Sequence, residues 1–184
     1  MFDIEKGESM STPISSSAVV PIAHAVLRIL IVVNLLGAAA ILALLVVMPN
    51  REWIMSSFQL SPSAEAERLI MGLRAIAVLG LVTFPLNHVV LKRLLAIVKT
   101  VSGGDPFVAA NASRLQTIAW TMLALNILSI VIGAVADNVS TPPHPLNIEA
   151  GFSINGWLAV LLTFLLARVF AQGALMRKDG EAAV

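Results

Sequence analysis

The stretch Leu91–Leu115, LKRLLAIVKTVSGGDPFVAANASRL, lies at the middle of the chain between two long apolar segments. It carries four of the twelve Lys and Arg residues (Lys92, Arg93, Lys99 and Arg114) against a single acid, Asp105. Leu91, Leu94, Leu95, Val98 and Val101 recur at the three-and-four spacing of a one-sided helix. Gly103-Gly104 then breaks that helix. Asp105 is a natural cap and Pro106 a natural first residue for the next one. Phe107, Ala110, Arg114 and Ile118 continue at helical spacing into the following apolar run. The stretch therefore predicts two helices joined by a tight break, prolonging two membrane helices into a hairpin beyond the bilayer. The competing reading lays both arms on the membrane surface as basic amphipathic pieces.

Composition explains why the flanking segments are read as membrane spans. The chain has 184 residues, 58% of them hydrophobic and only 12% charged, with a mean hydropathy of +0.88. A soluble domain of this length carries about 25% charged residues, so too little charge is left for a water-facing surface. Four apolar runs, about 22–48, 69–91, 117–136 and 152–176, are each long enough to cross a hydrocarbon core of about 30 Å. The predicted fold class is all-α: an integral membrane four-helix bundle, with helices two and three extended into a cytoplasmic hairpin. It divides into a mobile tail over 1–20, a transmembrane domain over 21–176 and a short cytoplasmic tail over 177–184. The tail is acidic near its start and is not a signal peptide; Met1 and Met10 are both candidate starts. The absence of cysteine excludes disulfides and thiolate chemistry.

Local signals set the expected helix ends. Helix one should begin at Pro21, capped by Ser17 or a neighbouring serine, and end before Pro49-Asn50. The link that follows holds Trp53, Ile54, Met55, Phe58 and Leu60, which predicts an interfacial turn. Helix two should start at Ser61-Pro62, with Glu65 and Glu67 in its first turns where the helix dipole favours anions, and run to about Val101. Pro85 inside it is expected to kink or break it. Helix four should begin near Phe152.

The distribution of Lys and Arg orients the chain. With both termini and the central connector on one side, that side holds Lys6, Arg28, Lys92, Arg93, Lys99, Arg114, Arg168, Arg177 and Lys178. The other side holds only Arg51, Arg68 and Arg74. Positive charge stays inside, so N- and C-termini are expected in the cytoplasm of a multi-pass protein of the bacterial inner membrane.

Few residues are candidates for chemistry. Arg74 lies about five residues inside the second run, and a charge there either snorkels, pairs or lines a pathway. Glu52, Glu67 and Asp137 at the outer edge are its nearest acids in depth. Asn126 with Ser129 and Gly133, and Gly156 with Ala159, Thr163 and Ala167, form small or polar helical stripes that suit close helix packing. His88 has no partner at ligand spacing, with His24 and His144 far away in sequence, so no metal or cofactor is expected. Asn138-Val139-Ser140 matches the glycosylation pattern only weakly. There is no phosphate loop, nucleophile motif or acid pair, and an enzyme is not expected. Net charge is +1, and there is no recognition-helix pattern, so direct nucleic-acid binding is not expected either.

The segment GDPFVAANASRLQTIAW, through Gly104, Pro106, Phe107, Asn111, Arg114, Leu115 and Trp120, resembles the bacterial four-helix membrane family catalogued as domain of unknown function 2975. The ending VFAQGALMRKDGEAAV resembles the same family through Val169, Phe170, Gly173, Ala174, Arg177, Asp179, Glu181 and Val184. The chain departs from the family pattern at Arg168, Ala183 and Gln116. The resemblance implies no enzymatic activity, and implies a link to small helix-turn-helix regulators encoded nearby. The resulting expectation is a non-enzymatic membrane protein that regulates or sequesters a cytoplasmic DNA-binding regulator protein. Phe107, Asn111, Arg114, Arg177 and Asp179 are the candidate contacts, with Arg74 and Asn126 as intramembrane polar residues. The alternative is a small transporter or channel subunit acting as a homo-oligomer. On either reading the lipid bilayer is the first partner.

Overall fold

The computed structural model describes residues 16–47, 64–104, 107–140, 146 and 148–182. Among these the fold is all-α, with four helices: α1 (Ser16–Val47), α2 (Ala64–Ser102), α3 (Ala109–Val139) and α4 (Ile154–Ala182). Each is long and apolar enough to cross a membrane, so the chain is a multi-pass membrane protein by the length and composition of its helices. α2 has 39 residues, which at 1.5 Å per residue is about 58 Å, nearly twice a hydrocarbon core.

The helices pack in chain order, α1 on α2, α2 on α3 and α3 on α4; α1 makes no comparable contact with α3 or α4. Each pair is antiparallel. Thr100 of α2 meets Asn111 of α3 at one end, and Gly72 meets Val139 at the other. The inner helices hold most of the core: Ala66, Leu69, Ile70 and Ala77 on α2, and Leu115, Ile118, Ala119, Ile132 and Ala136 on α3. The candidate span of α1 has no buried residue. Its exposed Ile29, Val33 and Leu36 suit a helix surrounded by lipid.

Close helix approach rests on glycine. A Cβ at Gly37 would sit 2.6 Å from the Phe84 ring, and one at Gly72 would collide with the Val139 side chain. Beside the first of these, Asn34 Nδ2 donates to the Phe84 carbonyl at 3.0 Å.

Two expected helix starts and one expected break are corrected. α1 begins at Ser16, five residues before the predicted start, and Pro21 lies inside it. A proline so near a helix start removes only one intrahelical bond. α2 runs through Pro85 without a break, as membrane helices tolerate an internal proline. α3 starts at Ala109 with Val108 as its N-cap, in extended conformation and without a side-chain cap. The predicted cap, Asp105-Pro106, lies outside the described residues, as do the tail over 1–15, the interfacial turn at Trp53, and His144.

Other local signals match. α2 ends where Gly103-Gly104 predicted, with Gly104 at φ +84°, a conformation that favours glycine. The Gly103 N–H donates to the Lys99 and Thr100 carbonyls at 3.2 and 3.1 Å, and the Gly104 N–H to Val101 at 3.1 Å. Glu65 and Glu67 occupy the first turn of α2. α4 continues through Arg177, Lys178 and Asp179 to Ala182, so these three residues sit on a helix.

Candidate functional site

The connector between α2 and α3 is closed by a polar knot. Asn111, in the first turn of α3, is entirely buried. Its Oδ1 accepts from Arg114 Nη1 at 2.8 Å and lies 2.9 Å from the Thr100 hydroxyl. That hydroxyl also faces the Ile97 carbonyl at 2.7 Å. Arg114 Nη1 reaches the Ala96 carbonyl at 3.2 Å. The guanidinium therefore lies against the last two turns of α2. An amide buried without partners would cost about 1–3 kcal/mol; here the oxygen is shared by a cation and a hydroxyl.

Beside the knot an aromatic clasp ties in α4. The rings of Phe107 and Phe170 are 5.3 Å apart at 37°. Gly173 makes room for Phe107: a Cβ there would lie 2.9 Å from its ring. Leu115, Ile118 and Ala167 form the buried cluster beneath, joined by Val90, Leu94, Ile97, Met122 and Phe170. Three helices thus converge at the connector end.

The structure divides the five candidate contact residues. Asn111 and Arg114 are spent within the knot, and Phe107 is half spent, packed on Phe170 yet 44% exposed. Arg177 and Asp179 are exposed on α4, and Lys92, Arg93 and Lys99 are exposed on α2. Thr100 and the pairing of Phe107 with Phe170 and Gly173 were missed from sequence. Folding the chain back at Gly103-Gly104 places Thr100 opposite Asn111, so the first could have been found by pairing the arms about the break.

Polar residues nearer the opposite end serve packing. Asn126 Nδ2 donates to the Met122 carbonyl at 2.9 Å, and its Oδ1 lies against Gly156, where a Cβ would collide with it. Thr163 donates to the Ala159 carbonyl at 2.7 Å and contacts Met122 Sδ at 3.8 Å. Arg74 is exposed, two residues from Gly72 and hence near the end of α3 at Val139. Arg68 donates to Asn138 Oδ1 at 3.2 Å at the same end of α2. His88 Nδ1 and Trp157 Nε1 are the buried side-chain polar atoms without a hydrogen bond among the described residues. No group of three or more His, Asp or Glu converges among those residues. No family model matches this chain, and no curated protein or solved structure matches it either.

Proposed function

We propose that this is a non-enzymatic inner-membrane protein whose connector end lies in the cytoplasm and holds or regulates a cytoplasmic protein. A small helix-turn-helix regulator is the partner class that the family resemblance implies. The observation that carries the reading is the surface of the connector end. Val101, Phe107, Leu175 and Met176 are 41%, 44%, 62% and 70% exposed, and all lie beyond Arg114 and Arg168, where charge marks the edge of the bilayer. Lys99, Arg177 and Lys178 at the same end are also exposed. Exposed apolar side chains among charged ones, outside the lipid, suit a protein partner better than water. The knot and the clasp hold the helices that carry them, so the surface is preorganised.

The charge count supports the orientation. The start of α1 supports it too, since Val20, His24 and Arg28 share a groove with Ser102. A photo-crosslinking residue in place of Met176 tests the reading in intact cells. It should capture a soluble regulator protein, whereas the same probe at Leu161 should capture only lipid. If the Met176 probe yields no protein adduct, the reading fails.

A further inference from the structure

The helices do not lie at the same depth, and the offset has a consequence for the segment before α4. On α3 the charge-free stretch is bounded by Arg114 and Asp137. That is about 35 Å of helix, close to one hydrocarbon core. α4 is shifted toward the connector end. Its Ala167 packs with Leu115 and Ile118, so Arg168 lies level with Arg114. From Ile154 to Arg168 α4 measures only about 21 Å, which is short of a full crossing.

The missing depth is covered by Ile148–Ser153, which is not helical. This segment runs down the side of α3. The Ala150 carbonyl oxygen lies 2.7 Å from where a Cβ at Gly133 would be. The Ser129 hydroxyl accepts from the Gly151 N–H at 3.1 Å and faces the Gly151 carbonyl at 3.3 Å. Ser129 lies about 12 Å along α3 from Asp137.

We infer that Ile148–Ser153 re-enters the bilayer as non-helical backbone seated in the Ser129–Gly133 groove of α3, and that α4 starts about a third of the way into the hydrocarbon. This rests on the membrane reading above. Non-helical backbone survives at that depth only where its polar groups are met within the protein, and several N–H groups along the segment and at the start of α4 are. The Ala150 N–H donates to the Ile148 carbonyl at 2.7 Å. The Gly151 N–H uses Ser129, and the Gly156 N–H uses Ser153 Oγ at 3.2 Å as an N-cap bond. The side chains agree, because Phe152 and Ile154 are 71% and 74% exposed, as lipid-facing groups are. Glu149 is exposed and precedes Ala150 on the side nearer the level of Asp137.

The chain has no cysteine, which makes the test direct. Single cysteines replace Asp137, Phe152, Ile154 and Leu161 in the full protein, in membranes opened so that a charged, impermeant maleimide reaches both faces. Asp137→Cys should label rapidly. Phe152→Cys and Ile154→Cys should label at least about tenfold more slowly, as Leu161→Cys does, because a thiol in hydrocarbon does not ionise. Spin labels at 152 and 154 should be relaxed more by oxygen than by a water-soluble nickel chelate. If positions 152 and 154 label less than about tenfold more slowly than 137, or the nickel chelate relaxes their spin labels more than oxygen does, the segment stands in water and the inference is overturned. Rapid labelling of Leu161→Cys would instead sink the membrane reading itself.

Discussion

Asn111 illustrates how one side chain can be misread when its neighbours are unknown. In the sequence it is a polar residue in a connector that stands out from an apolar chain. In the structure it is the largest fully buried side chain among the described residues, 0% exposed, and it links Thr100 on α2 to Arg114 on its own helix. Replacing it with leucine removes the oxygen that both donors face and leaves a half-buried cation short of a partner. Removing one member of such a charged hydrogen bond costs about 1.5–3 kcal/mol. We expect Asn111→Leu to lower the melting temperature in detergent clearly. Lys99→Gln, at an exposed neighbouring position, should leave it within error. If Asn111→Leu melts with the parent protein, the knot is not holding the connector.

At the scale of elements, the fit between α3 and α4 depends on Gly156 opposite Asn126. The amide of Asn126 bonds its own helix through Met122, and its oxygen occupies the space that any other residue at 156 would need. Gly156→Ala should therefore destabilise the pair by about 1–3 kcal/mol through overpacking. Asn126→Ala should relieve much of that loss in the double variant, because the two positions share one space. Additive losses in thermal melts of the two single variants and the double would show that the contact is not the cause. The paired stripes Asn126/Ser129/Gly133 and Gly156/Ala159/Thr163 were legible in sequence as small or polar positions at helical spacing. Their partners were not, since spacing along one helix says nothing about the register of its neighbour. The same limit explains α3: Asp105-Pro106 is a good start signal, but the chain spends Phe107 and Val108 on reaching α4 before the helix begins.

For the whole molecule, the row of four antiparallel helices places the start of α1, the connector and the end of α4 at one end. Labelling from outside intact cells should reach Asp137→Cys and not Ser102→Cys, and opening the cells should expose Ser102→Cys. The reverse pattern would invert the orientation and move the proposed docking surface out of the cytoplasm.

Length, four runs of apolar residues and the Gly103-Gly104 break were enough to determine that the chain forms four membrane-length helices, because hydrophobic run length and glycine at a helix end are local properties. The register of the helices against one another was decided only by tertiary contacts. The fourth run reads as one span over 152–176, and α4 is a membrane-length helix over nearly the same residues; only the contacts show that Phe170 packs against Phe107 at the connector and that Ser129 holds Gly151 at the other end. Apolar side chains that cover a protein surface and those that face lipid have the same hydropathy. Only the side chains opposite them show which they do.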